Sequence, residues 1–437
     1  MLKSISRISA LIVQRCIPDA FVFAVILTFV TLFAGVFFEG KTFFEMIQYW
    51  GDGFFNLLKF SAQMALVLIC GFALAKTKLV DIFLNKLMHF IDTQFKAVLF
   101  VSIVSILGCY INWGFGLVVS GLISIKIYHK LERVNFGLVV ASAYSGFLVW
   151  HGGLSGSIPL KMASNSKILT KLGVANIKLS ESLYSGFNLS ILFLTVFIIL
   201  CVNLFRSLYA SETMTNKKNI ESVEHDISEE SLELSFASKL ENSKISVFVV
   251  VLIGGIYIFN SIYKIGFSLN LVIMIFLFLG ILFSMSLKKY IQHFSNSVSA
   301  SSGILLQFPF YAGIMGMMAQ SGLAQSLSEF FISISTADTF LFNTYLSAGI
   351  VNFFVPSGGG QWVVQGPIVL DAAQKLGIDL SQAAMTLAWG DAWTNMIQPF
   401  WALPLLSIAK IELKEIMGHC ILLFFTLGIC TSIFLLL

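Results

Sequence analysis

Long apolar runs separated by short polar ones occupy the chain from near residue 20 to its end. Residues 20–38 carry no charge, and at about 1.5 Å per residue such a run crosses a hydrocarbon core about 30 Å thick. Comparable runs lie at 54–75, 183–204, 246–263, 269–286, 297–319 and 416–437. Four others are interrupted. Residues 97–125 contain Asn112-Trp113-Gly114-Phe115-Gly116, and 135–161 contain His151-Gly152-Gly153 and Pro159. Residues 340–370 contain Pro356-Ser357-Gly358-Gly359-Gly360, and 381–408 contain Gly390 through Gln398. Residues 76–96 mix charged and apolar positions at helical spacing and read as an interfacial helix; 323–334 is a second short amphipathic stretch. The pattern predicts an all-α polytopic membrane protein with about nine spans and two hairpins that enter and leave on one side.

Composition excludes other classes. Of 437 residues, 57% are hydrophobic and 11% charged, against about 25% charged in soluble domains. With 27 basic and 23 acidic residues a soluble fold of this size is left without a polar surface, so soluble enzymes, nucleic-acid binders and disordered proteins are ruled out. Short alternating segments of a β-barrel are missing from the sequence. Six cysteines form no CxxC pair, and five lie in apolar runs, where they read as small apolar residues. Residues 1–19 form an amphipathic segment carrying Lys3, Arg7 and Arg15, not a cleaved leader.

The interruptions recur. Adding 240 carries Asn112 to Asn352, His151 to Asp391, Ser155 to Asn395 and Pro159 to Pro399. The order of whole elements follows the same offset, which predicts two repeats, 20–205 and 246–437, joined by a polar linker at 206–245. With the N-terminus cytoplasmic and the segments 97–125 and 340–370 as re-entrant hairpins, 19 basic residues fall inside and 8 outside. The two hairpins then open to opposite sides, an inverted-topology repeat as in alternating-access transporters.

Backbone that is not helical at membrane depth has to be buried in protein or line a wet cavity, so the four breaks are the places to look for chemistry. Freed helix N-termini suit a carboxylate, and C-terminal ends and unwound carbonyls suit a cation. The amides Asn112, Asn352 and Asn395, the hydroxyls Ser155, Ser157 and Ser357, the glycines Gly358 and Gly359, and Gln361 are therefore candidate substrate ligands, with Na⁺ able to sit near Asn112, Asn352 and Asn395. Asp391 is an acid in an apolar segment, where it costs about 2.5–3.5 kcal/mol to insert. It reads either as a proton or cation site or as a cap on the half-helix that follows. His151, mid-span, reads either as a proton-coupling group or as a hydrogen-bonder at a helix end. No lysine or arginine is placed at the breaks by the sequence, which favours a small monocarboxylate held by helix ends and amides, with Trp113, Phe115, Trp362 and Trp393 available to an apolar tail. An intramembrane enzyme built on His151, Asp391, Ser155 or Ser357 would need a motif such as GxSxG or HExxH, and neither occurs.

Five stretches carry a resemblance. They are Ile111 through Val119, Ser145 through Ser157, Gln307 through Ile314, Asn352 through Trp362, and Asn395 through Pro404. Together they resemble the bacterial short-chain fatty acid transporter family (AtoE type), which is similar to the wider ion transporter superfamily of carboxylate carriers. The resemblance implies import of butyrate, acetoacetate and related monocarboxylates across the bacterial inner membrane, coupled to Na⁺ or H⁺, with no other cofactor. It carries substrate and cation roles onto Asn112, Ser155, Asn352, Ser357, Gly358 and Asn395, and it implies a homodimer in the lipid bilayer. A C4-dicarboxylate carrier of the same superfamily is the alternative.

Overall fold

The structure is a computed structural model describing residues 19–164, 169–170, 172–210, 213–214, 236–265 and 268–437. The N-terminal amphipathic segment, apart from Asp19, and much of the linker at 206–245 lie outside the described residues.

The first half opens with α1 (Ala20–Glu39), α2 (Phe43–Gly53), α3 (Leu58–Ala75) and α4 (Lys78–Met88). A helix pair follows, α5 (Gln94–Ile111) and α6 (Trp113–Lys130), then α7 (Phe136–Ser145) with a 3-10 turn at Gly146–Val149, α8 (Ser157–Ala163) and the long α9 (Gly186–Tyr209). A short α10 (Phe236–Glu241) leads into α11 (Lys244–Ile265). The second half then runs α12 (Leu269–Ser284), α13 (Leu287–Ser295), α14 (Ser302–Ser321), α15 (Leu323–Ser333), the pair α16 (Phe340–Phe354) and α17 (Gly358–Leu376), α18 (Leu380–Thr394), α19 (Pro399–Ala409) and α20 (Leu413–Leu436). Among the described residues the only strands are two-residue β1 (Arg133–Val134) and β2 (Thr213–Met214), paired antiparallel.

Local chemistry sets these boundaries. Asp19 caps α1 by accepting from the Phe21 amide, and Gly40 closes it at φ 62°, a left-handed turn that glycine adopts without strain. Thr42 and Glu45 form a capping box that starts α2. Asn112 ends α5 and caps α6 with the same side chain. The chain reverses there: Gly108 and Gly116, four residues either side, lie against each other, with 2.7 Å between a Cβ built on Gly108 and the Gly116 Cα. It reverses again at 355–357, because Gln361 donates to the Ala348 carbonyl at 2.7 Å and Gln365 to the Ser347 hydroxyl at 3.0 Å.

Packing is reciprocal between the halves. Helix α1 packs on α14 and α12 on α3; α2 packs on α14 and α13 on α3. In the same way α5 packs on α7 and α16 on α18; α6 on α19 and α17 on α8; α9 on α18 and α20 on α7. The largest apolar core runs through both halves, and a second surrounds α8, α17 and α18.

Among the described residues seven helices are long and apolar enough to cross a membrane, α11 being the one without a counterpart in the other half. Six of the seven fall on expected spans. The seventh is Gln94–Ile111, expected as a hairpin arm, which at about 1.5 Å per residue reaches roughly 27 Å. The expected spans at 135–161 and 381–408 are each built from two shorter helices, and Leu269–Ser284 is shorter than its expected run.

Glycine contacts yield a stability contrast. A Cβ on Gly116 would meet the backbone and thiol of Cys109, so Gly116→Ala is expected to destabilise by about 1–3 kcal/mol through overpacking. Gly255, in α11, has open space at the same position, so Gly255→Ala is expected to be neutral or stabilising by up to about 1 kcal/mol. Thermal unfolding of the purified variants in one detergent checks both signs.

Candidate functional site

The four interrupted segments meet. At the first tip Asn112 Oδ1 accepts from the amides of Gly114 and Phe115, both at 3.1 Å, leaving the Trp113 amide free to donate to Ser155 Oγ at 3.2 Å. The loop between α7 and α8 thus docks on this tip, and the Leu154 amide adds a 2.7 Å bond to the Tyr110 carbonyl. Gly153 permits the approach, because a Cβ there would lie 2.5 Å from that same carbonyl oxygen.

At the second tip Asn352, fully buried, sits at the C-terminal end of α16. Its amide nitrogen lies 2.8 Å from the Asp391 carbonyl, 2.9 Å from Thr394 Oγ1 and 2.8 Å from Asn395 Oδ1. Three acceptors therefore converge on one –NH₂ group, all from the last turn of α18 or just after it. Gln398 completes the contact by donating to the carbonyls of Asn352 and Phe353 at 3.1 Å. Tyr144 from α7 donates to the Asn395 carbonyl at 2.5 Å, tying the first half to the second break.

The halves also meet through charge. His151 Nδ1 and Asp391 Oδ1 lie 3.0 Å apart, with both side chains buried. His151 Nε2 accepts from the Ile158 amide at 3.3 Å, which leaves Nδ1 as the ring atom beside the carboxylate. This amide belongs to the first turn of α8, so His151 does hydrogen-bond a helix end. Asp391, by contrast, lies inside α18 and does not cap α19, whose N-cap is Gln398. The capping reading of Asp391 is thereby corrected. His151 also lies against the second tip: a Cβ on Gly358 would come 2.7 Å from His151 Nε2 and 3.2 Å from the Trp150 ring.

One sequence expectation fails outright. Lys161, on α8, donates from Nζ to the Gly359 carbonyl at 2.8 Å, so a lysine does reach the glycine tip. It sits ten residues after His151, at the end of the run 135–161, and the half-helix α8 brings it to the second tip. The aromatic assignments change too. Trp113 remains at the centre, with ring centroids 5.1 Å from Trp401 and 6.3 Å from Trp150. Phe115 instead faces Phe276, Trp362 enters the second core, and Trp393 stacks between Tyr345 and Phe424. Gln361 joins Gln365 at 2.6 Å in a network that fastens the second hairpin. Ser357 caps α17 through the Gly360 amide, and Ser157 stands at the start of α8.

Residues the sequence did not single out complete the cluster: Tyr144, Thr394, Gln398, and Asn188, which accepts from Trp389 Nε1 and donates to the Gly152 carbonyl. Thr394 and Gln398 flank Asn395 and could have been found from that position; Tyr144 and Asn188 lie in ordinary apolar runs and gave no signal. Several buried polar atoms here have no hydrogen-bond partner among the described residues: Asn352 Oδ1, Asn395 Nδ2, Gln398 Oε1, Asp391 Oδ2 and Trp150 Nε1. Both donors and acceptors are therefore held open, an arrangement that suits an anion at the donors and a cation at the acceptors.

The two amides carry different loads. Asn352→Ala removes the side chain on which three acceptors converge and should cost about 2–4 kcal/mol of stability. Asn112→Ala removes a cap and should cost about 1 kcal/mol. Parallel thermal unfolding should rank the variants in that order.

Comparison with known proteins agrees with the geometry in kind. A family model described as short chain fatty acid transporter matches residues 1–437. A provisionally named short-chain fatty acid transporter of Haemophilus influenzae is 36% identical over 437 residues, covering 96% of each chain. One of the same provisional name from Escherichia coli is 37% identical over 431 residues, again covering 96% of each. Among solved structures, the YdaH transporter of Alcanivorax borkumensis aligns over 85% of this chain and 83% of its own at 14% identity and a TM-score of 0.43. The MtrF protein of Neisseria gonorrhoeae aligns over 99% and 97% at 15% identity and a TM-score of 0.38.

Proposed function

The chain belongs to the short-chain fatty acid transporter family, and from that premise we propose that it is a secondary active symporter. It imports small monocarboxylates such as butyrate or acetoacetate across the bacterial inner membrane, driven by Na⁺ or H⁺. The observation that carries the reading is the meeting of four helix interruptions around Asn112, Ser155, Asn352, Gly358 and Asn395, with unpartnered donors and acceptors buried among them. Broken helices that pool their exposed ends at one buried point are how carriers build a site for an anion and a cation together.

The reciprocal packing of the halves supports an inverted-topology repeat. Four crossings in the first half bring the chain back to its starting side, and α11, which has no counterpart among the described residues, then sets the second half upside down. In this reading the N-terminus is cytoplasmic and the pairs α5–α6 and α16–α17 are re-entrant hairpins opening to opposite faces. Alternating access follows when the hairpins and broken helices move against α1–α3 and α12–α14. Two copies form the working dimer.

Lys161 sharpens the substrate. One ammonium at the Gly359 carbonyl matches one carboxylate, with the freed amides at the start of α17 beside it. A C4-dicarboxylate would bring a second charge, and among the described residues no second cation is bonded to the tip.

Uptake of labelled acetoacetate or butyrate into proteoliposomes, minus that of protein-free vesicles, tests the reading. Accumulation dependent on an imposed Na⁺ or H⁺ gradient and weak competition by succinate are expected; no gradient-dependent uptake of any short monocarboxylate would refute it. Lys161→Met is expected to raise KM about tenfold with a smaller effect on kcat, the loss of one charge-assisted contact of about 1.4 kcal/mol.

A further inference from the structure

We propose that the coupling ion is the proton and that the His151–Asp391 pair carries it; this rests on the symporter reading above. Among the described residues this is the one acid–base contact with both side chains buried; every other ion pair keeps its groups at least partly exposed. The pair unites positions 240 apart, the same interval that separates Asn112 from Asn352, so it joins corresponding places in the two halves.

The contact places the two groups for proton exchange. His151 Nε2 accepts from the Ile158 amide, and Nδ1 lies 3.0 Å from Asp391 Oδ1. With a neutral ring and an ionised carboxylate the pair bears one negative charge. Neither oxygen of the buried Asp391 carboxylate has a hydrogen-bond partner among the described residues, so the group is open to protonation. A proton taken from water on one side makes the pair neutral, and its release to water on the other side restores the negative charge, with no other bond changed.

That charge change is what couples the ion to the substrate. The imidazole lies against Gly358, at the tip where Lys161 reaches Gly359, so an arriving carboxylate enters beside Asp391. An ionised Asp391 repels it in a low-dielectric surrounding; a protonated one does not. Each species therefore favours the binding of the other, which is the thermodynamic requirement of symport. The other titratable groups on the packed elements do not replace the pair. Lys161 from α8 is committed to Gly359 and Tyr144 from α7 to the Asn395 carbonyl, while Tyr110 on α5 and Tyr345 on α16 keep neutral phenols at ordinary pH.

The test uses the full chain in proteoliposomes, with acetoacetate as probe because butyric acid crosses bilayers unaided. Proton movement and labelled acetoacetate are followed together. Wild type is expected to move about one proton per acetoacetate, with transport that changes with pH. In Asp391→Asn the residual counterflow is expected to move no protons and to be flat with pH. A ratio near one in that variant, or wild-type transport driven by Na⁺ with no proton movement, overturns the assignment while leaving the symporter reading intact. Failure of wild type to move any short monocarboxylate would overturn the symporter reading itself. If Asp391→Asn yields too little transport to measure, His151→Gln decides. Loss of the imidazole is expected to shift the pH of half-maximal exchange; an unchanged profile refutes the pair.

Discussion

Backbone amides and carbonyls inside a membrane have to be satisfied by the protein, and everything at the centre of this chain follows from that requirement. Each interruption frees polar groups, and each finds its partners on another interruption or the helix beside it. Ser155 receives the Trp113 amide, Tyr110 receives Leu154, Asn352 gathers the ends of α18, and Gln398 satisfies the carbonyls that end α16. No break is stable alone, so the breaks have to assemble. Glycine makes the assembly close: Gly153 and Gly358 bring backbone within contact of Tyr110 and His151.

The same constraint concentrates chemistry. A buried carboxylate requires a partner, and Asp391 obtains it from the other half of the chain, not from its own. A lysine that the chain sends outward after His151 is turned back by α8 onto the glycine tip. The centre therefore combines neutral amides, one acid–base pair and one ammonium, while the faces turned outward carry exposed side chains such as Phe29, Phe37, Phe193 and Phe259. Recognition of a small anion and response to a cation are drawn from one set of contacts, which is why the two events are coupled in this account.

Much of the architecture was legible beforehand. The apolar runs located the long helices to within a few residues, and the expected breaks at Asn112, His151–Gly153 and Pro356–Gly360 fell at or beside helix ends, because glycine, proline and amides end helices for local reasons. The break expected over Gly390–Gln398 begins only at Asn395, since Gly390–Thr394 continue the helix. What remained hidden was contact. Periodicity does not reveal that His151 and Asp391 meet, that Asp391 lies before the end of α18 and does not cap α19, or that Trp362 and Trp393 turn into separate packing clusters. Lys161 was misread for a similar reason: its charge argued for solvent, and only the fold of α8 outweighs that.

The central claim is that a carboxylate binds where the four breaks meet. A density map of the reconstituted chain recorded with and without 4-bromobutyrate tests it directly. The account predicts new density with its carboxylate within hydrogen-bond distance of Lys161 and the Asn395 amide, and its bromine end toward Trp113. Ligand density confined to the lipid-facing surface, with Asn112, Asn352 and Asn395 unchanged at saturating ligand, would contradict it.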